Sequence, residues 1–543
     1  VKCDSTIDFL HNRFFRLSQN SCGHIHVYLL PLQFNRVMGI IIRQSIKGTI
    51  VNYVGIAIGF FTTFFVLTRF LTAEEIGLTR VLIEAATLIA GLAQLGTNSS
   101  IVRFYPYFKD EAHKDHGFFF WSLAVPLVGF FVVGTLYVCL KSVICGVFSE
   151  KSSLFVNYYY FVLPLAFFLL YMTIFETNAN VLMRIVVPKF VREVVVRVLL
   201  LASYLLYAFK VLDIDGFVAA FCSIYGVAML INIGYLLSLK RISIKPDLKF
   251  FSKSLRKDYL LYTLFLVTAS IGSVITPSVN TFFISAKMGL EYTGVFAIAT
   301  FIAALIEIPY RSLGAISQPQ LSQAVKDRDV VQANQLVKNV SLHQLLVGAF
   351  IFFIIWINID LLFKIIPNGE LYATAKQVVL ILGITKLLQS ICNIGVSALG
   401  YSRYYYYSLI FTFVLTVAAI VFNNWLIPLW GINGAAMASL LAAVIYYALL
   451  LGMVHRKIKI NLFSMNQLKV LAIILMLLPI NFLLETYVSP LWNYLFTNDF
   501  VIEIADAILR TSILTVLGVV IVYFWHISED VNSLIRKTLR LEK

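Results

Sequence analysis

Fourteen runs of mostly apolar residues, each about 20 long and so able to cross about 30 Å of hydrocarbon, succeed one another along this 543-residue chain. Their approximate limits are 46–71, 78–102, 118–140, 154–175, 190–210, 215–238, 258–286, 293–315, 340–363, 374–399, 404–428, 431–453, 467–487 and 505–527. In lipid each backbone N–H and C=O must find its partner inside the segment, and helices do that. An all-α, polytopic membrane protein is therefore expected. The charged fraction agrees: 13%, against about 25% in soluble domains.

Lysine and arginine sort by loop. From Met38 on, the N-terminal tail, the even-numbered connections and the C-terminal tail hold most of them, and LKRISIKPDLKFFSKSLRK from Leu239 is the densest run. By the positive-inside rule both termini are expected in the cytoplasm. The net charge of +15 then serves anionic headgroups, and no nucleic acid is needed to account for it. Residues 1–37 have neither the apolar core of a signal peptide nor a small-residue cleavage site. They are expected to be a non-native or disordered extension, with the native start at Met38.

The chain also repeats itself. VLDIDGFVAA from Val211 is echoed by LWGINGAAMA from Leu429, AEEIGLTR from Ala73 by LEYTGVFA from Leu290, and LGTNSS from Leu95 by LGAISQ from Leu313, at nearly constant offset. One unit holds six crossings, an even number, so the two halves run parallel about an axis along the membrane normal. The expected organisation is an N-lobe at 38–240, a basic linker at 241–257, a C-lobe at 258–455, and two extra helices with a basic tail at 456–543. Small residues spaced by four, Gly434, Ala438 and Ala442 in one copy and Gly216 with Ala220 in the other, are expected to let helices approach closely.

No phosphate-binding loop, HExxH or GxSxG motif occurs, and the six cysteines and eight histidines show no metal-ligand spacing. No catalytic residue, metal or cofactor is expected, only a proton or sodium gradient as a candidate energy source. Ionisable groups inside spans are costly and default to function. Arg197, Arg311 and Lys386 are candidates to line a cavity and hold an anionic group such as a diphosphate. Asn52, Gln94, Asn98, Asn178 and Asn280 could line it too, or bond neighbouring helices. Glu84 and Glu307 are candidate ion-coupling carboxylates, with a Glu307–Arg311 intrahelical pair as the plainer alternative. Arg69, Arg80, Arg103, Lys141 and Lys287 are read as snorkelling anchors.

TIVNYVGIAIGFFTTFFVLTRFLTAEEIGLTRV from Thr49, the Arg-Phe-Tyr-Pro run at Arg103, SLGAISQPQLSQAVKDRD from Ser312 and WGINGAAMASLLAA from Trp430 resemble the polysaccharide-export branch of the multidrug/oligosaccharidyl-lipid/polysaccharide superfamily, specifically Wzx-type flippases for O-antigen or capsule repeat units. The resemblance implies two six-helix lobes in a V around a central cavity, and a flippase rather than an enzyme. It also implies alternating access for an undecaprenyl-pyrophosphate-linked oligosaccharide in the cytoplasmic (inner) membrane, with a polymerase and a chain-length regulator as partners. A multidrug antiporter of the same superfamily and a lipid II or teichoic-acid flippase stay open as alternatives. A membrane-embedded glycan polymerase is the remote one, with Glu485, Asp499 and Glu503 as its only outer acidic cluster.

Overall fold

The structure, a computed structural model, describes residues 48–538 apart from 49, 111–112, 240–241, 244, 246, 248–252 and 491–496. The expected N-terminal extension and much of the basic linker lie outside the described residues. Eleven of the described helices are long and apolar enough to span a bilayer. In chain order they include α1 (Ile50–Phe70), α2 (Ala73–Ala93), α3 (Lys114–Cys139), α4 (Tyr159–Val181), α6 (Ile214–Ser238), α8 (Leu290–Glu307), α9 (Val330–Ile357), α10 (Lys376–Tyr401), α13 (Met465–Tyr487) and α14 (Asp499–Phe524). The eleventh, Tyr406–Ile458, is 53 residues long and breaks at Gly431, φ 58° and ψ −135°. It supplies two of the expected crossings, α11 before the glycine and α12 after it.

Two expected spans fall outside the eleven, for different reasons. The expected fifth, α5 (186–208), is helical throughout but carries Lys189, Arg192, Glu193 and Arg197 and passes through a π turn at Val191–Val195. The expected seventh, α7 (253–287), is interrupted by a 3-10 turn at Thr276–Ser278. Both are helices where apolar runs were read.

Local sequence fixes several starts. At α2 the Thr72 hydroxyl accepts from the Glu75 N–H while the Glu75 carboxylate accepts from the Thr72 N–H, a reciprocal capping box. Asp213 caps α6 by accepting from Gly216 N at 2.8 Å, and Asp329 caps α9 by accepting from Gln332 N at 2.9 Å.

The repeat is visible in the packing. In the first lobe α2 lies on α4 and α4 on α6; in the second α8 lies on α10 and α10 on α12. The lobes join where α2 meets α8, the broadest helix pairing of the described residues. A Cβ on Gly77 would come within 1.9 Å of the Leu290 carbonyl oxygen, and a Cβ on Gly294 within 2.0 Å of the Ala73 carbonyl oxygen. Gly77 and Gly294, like Ala73 and Leu290, are matched positions of the repeat, so each glycine receives the other lobe's counterpart residue. That reciprocity is the mark of a two-fold contact. Below it Leu78, Val81 and Leu82 pack among Val295, Ile298, Ala299 and Ile302, all buried.

The repeat is imperfect in two places. Leu95 and Gly96 take φ 49° and 71° and break α2 before it resumes as Thr97–Phe108, whereas the matched Leu313–Gly314 runs inside the continuous helix Ile308–Lys326 that extends α8. The expected small-residue face holds in α12, where Gly434, Ala438 and Ala442 are buried and Ala442 packs in a cluster with Val279 of α7. It does not hold in α6: Gly216 and Ala220 are only half-buried, and the larger Phe217, Val218, Phe221 and Cys222 turn inward instead.

The last two helices sit on the second lobe. Val470, Ile473 and Leu477 of α13 and Leu514 and Val522 of α14 share a core with Leu342, Leu345, Ala349 and Phe353 of α9. Of the outer acidic cluster, Glu503 pairs with Lys364 at 2.6 Å and Glu485 with Arg510 at 3.3 Å.

Because the α2–α8 contact leaves no room for a side-chain carbon on either face, Gly77→Val and Gly294→Val are each expected to cost at least about 1–3 kcal/mol, and by similar amounts. Thermal unfolding of the two variants in detergent checks this.

Candidate substrate cavity

A cavity of about 760 Å³ opens beyond the α2–α8 contact, within the 300–1,000 Å³ typical of small-molecule sites. Its walls are Gly59, Thr62 and Thr63 of α1, Ile83 to Gln94 of α2 with Asn98 beyond, Leu169 to Thr173 of α4, Arg192 to Tyr204 of α5, Ser273 to Ser278 of α7 and Phe301 of α8. Most of these come from the first lobe. Gln94 lies 17 residues after Gly77, about 25 Å along the helix, so the cavity runs along the part of α2 away from the contact.

Two arginines of α5 supply its charge. Arg197 donates from Nη1 to the Gly55 carbonyl oxygen at 2.7 Å and from Nη2 to Glu193 Oε2 at 2.9 Å. It fits because Gly59 has no side chain: a Cβ there would stand 2.1 Å from Nη1. Gly55 and Gly59, one turn apart, thus let α1 close on α5 over a charged group. Arg192 donates to Thr173 Oγ1 at 3.2 Å and lies 2.9 Å from Glu176 Oε2. Among the described residues each arginine therefore has a glutamate, and the site is charge-balanced where membrane depth alone suggested a surplus of cations.

The other sequence-chosen residues are scattered. Lys386 Nζ donates to Glu307 Oε1 at 2.5 Å, joining α10 to the 3-10 turn at the end of α8 inside the second lobe, and neither residue lines the cavity. Arg311 sits one turn further along the extension of α8, with its side chain outside the described residues. Asn280 donates to Ser439 Oγ at 2.6 Å and accepts from Asn423 Nδ2 at 2.9 Å, tying α7 to α11 and α12. Asn52 is half-buried on α1 and is not a cavity residue. Glu84 is 8% exposed, pairs with Arg80 at 2.6 Å and accepts from Ser278 Oγ at 2.8 Å. That last bond crosses between lobes beside the cavity wall.

Arg192 and the cluster at Asp110 escaped the sequence reading, which did offer Gln94 and Asn98 as residues that line a cavity or bond neighbouring helices. Arg192 lies nearer a span end and was passed over, although Arg192, Glu193 and Arg197 in one apolar run were the available signal. Gln94 and Asn98 line the cavity bonded to each other at 2.7 Å. Asp110, His113 and His116, among histidines read as showing no cluster, present ligating atoms within 4.8 Å of one another.

Two lobes joined by a pseudo-two-fold contact, with a cavity between helices, are the architecture of the multidrug/oligosaccharidyl-lipid/polysaccharide exporter superfamily. Residues 45–325 match the family model described as polysaccharide biosynthesis protein, and the chain belongs to that family. No curated protein matches it. Among solved structures it is similar to the lipid II flippase MurJ in an inward closed conformation, at 15% identity and TM-score 0.64, over 87% of this chain and 98% of that one. It is also similar to an inward-facing MATE multidrug resistance transporter, at 16% identity and TM-score 0.55, over 74% and 93%. A third likeness is to a superfamily transporter from Pyrococcus furiosus, described as having a binding pocket of reversed polarity, at 16% identity and TM-score 0.51, over 75% and 94%.

The Lys386–Glu307 pair should behave as a coupled unit. K386M is expected to cost about 3 kcal/mol by leaving a partly buried carboxylate without its lysine, while K386M/E307L costs less than the two single changes together by about 1–3 kcal/mol. A double-mutant cycle on unfolding in micelles measures the difference.

Proposed function

We propose that the chain is a flippase moving an undecaprenyl-pyrophosphate-linked oligosaccharide, an O-antigen or capsule repeat unit, from the inner to the outer leaflet of the cytoplasmic membrane by alternating access. The observation that carries this reading is the cavity halfway along the helices with Arg192 and Arg197 in its wall. A headgroup of many hydroxyls cannot cross hydrocarbon unpaired, at several kcal/mol each. Thr63, Thr87, Thr173, Gln94 and Asn98 offer it replacement partners, while the polyprenyl tail stays in lipid.

The arginines act by exchange. Each is held extended by a glutamate and a neutral acceptor, so an arriving diphosphate competes for donors already in position, and arginine's planar fork suits its oxygens. The glutamate takes the donors back when the substrate leaves, which keeps binding reversible. Both termini lie in the cytoplasm in this reading, which places the α2–α8 contact at the outer side and the cavity toward the inner one. A proton or sodium gradient would drive the cycle through Glu84, because its charge holds Arg80 in one lobe and the Ser278 hydroxyl in the other. A polysaccharide polymerase and a chain-length regulator are the partners that would receive the product. The second reading is a lipid II headgroup, favoured by the broad likeness to MurJ.

In proteoliposomes loaded with a lipid-linked oligosaccharide, R197A and R192A should slow leaflet exchange by about tenfold to a hundredfold, the worth of a charge-assisted bond. R197K, which keeps charge without the fork, should fall between. Wild-type rates in both alanine variants, with unfolding temperatures unchanged, would contradict the assignment. Faster exchange of lipid II than of the oligosaccharide would favour the second reading.

A further inference from the structure

We propose that Asp110, His113 and His116, at the entry to α3, form a zinc site, with Asp247, from the connection between the lobes, as the carboxylate that orients His116. Imidazole with a carboxylate is a donor set suited to Zn²⁺, and three such side chains leave one coordination position for water. Asp110 Oδ2 lies 2.8 Å from His113 Nδ1 and 3.5 Å from His116 Nε2. Metal–nitrogen and metal–oxygen bonds of about 2.0–2.2 Å in a tetrahedron set ligand atoms a little over 3 Å apart, so the second distance already fits and the first opens by a few tenths of an ångström. His113, with 68% of its side chain exposed, is free to make that adjustment. The two rings lie nearly parallel, 11° apart, with centroids at 5.3 Å, so both imidazoles flank the same carboxylate oxygen.

The far side of His116 completes the arrangement. Its Nδ1 is 3.4 Å from Asp247 Oδ2, and its backbone carbonyl accepts from Asp247 N at 3.3 Å. A metal-ligating histidine ordinarily gives its other ring N–H to a carboxylate or carbonyl, which fixes the tautomer. Asp115, the other acid among the described residues of this stretch, is committed elsewhere: it accepts from Asp110 N at 2.9 Å and from the Tyr105 hydroxyl at 3.2 Å. It braces the turn that brings the ligands together. A metal ion here would fasten the end of the first lobe to the segment that leads into the second.

The test uses the untagged full-length chain in detergent, stripped with a chelator and dialysed against buffered Zn²⁺, with bound metal measured by elemental analysis. Wild type should hold one more zinc per chain than H113A/H116A, a control that removes any contribution from histidines elsewhere. D247N should keep the stoichiometry but bind about ten- to a hundredfold more weakly, as loss of an orienting carboxylate does. Co²⁺ in place of zinc should give visible absorption of tetrahedral intensity that H116A abolishes. Because His113 is exposed, H113A is not expected to disturb folding, and chelated variants should unfold at the wild-type temperature. Equal zinc content and affinity in wild type and H113A/H116A would overturn the proposal.

Discussion

The architecture turns on one close approach, that of α2 to α8 at Gly77 and Gly294. Between helices already in lipid the hydrophobic effect offers little, and packing contacts decide. Two backbones can meet at this distance only where neither carries a Cβ. Since the glycines occupy matched positions of the repeat, one contact both joins the lobes and sets the axis that relates them. The pairings of α2, α4 and α6 and of α8, α10 and α12 follow as two versions of one bundle. The cavity is what remains where the helices diverge from the contact.

Charge in the interior follows a second rule. A carboxylate or guanidinium taken into the bilayer is retained only with a partner, and the described pairs obey it: Arg80 with Glu84, Arg192 with Glu176, Arg197 with Glu193, Lys386 with Glu307. They differ in what surrounds them. The α5 arginines face the cavity, where in the proposed reading a ligand displaces the glutamate, whereas Lys386 and Glu307 are packed between α8 and α10. Glu84 belongs to a third kind, an ion pair with one oxygen committed across the lobe boundary. In that reading the same chemical pairing would serve binding, stability or communication according to what lies beside it.

Much of this fold was legible in the residues, because the hydrocarbon sets the length of a crossing and an even repeat sets the relation of its halves. The AEEIGLTR and LEYTGVFA match marked the repeat, and only the structure shows that these two segments meet in the α2–α8 contact. Depth scanning found Arg197 but could not see that Gly59 makes room for it 138 positions earlier, nor that Lys386 reaches Glu307 across 79 residues, since depth carries no information about neighbours. Asn280 was ambiguous for the same reason: an asparagine in lipid needs partners, and Ser439 and Asn423 become visible only when α7, α11 and α12 are together. The α6 face failed because glycine and alanine spacing permits close packing without compelling it, and the bulkier Phe217 and Phe221 took the interior.

Sidedness of the cavity is the most direct test of the account. In a chain whose cysteines are replaced, Thr87→Cys, Gln94→Cys and Gly294→Cys can be exposed to a membrane-impermeant thiol reagent in right-side-out and inverted vesicles. The account predicts that 87 and 94 label from the inner face in the resting protein, that labelling from the outer face appears only as substrate drives the cycle, and that 294, packed in the α2–α8 contact, labels from neither. Labelling of 87 and 94 from neither face, or of 294 as readily as of 87 and 94, would contradict it.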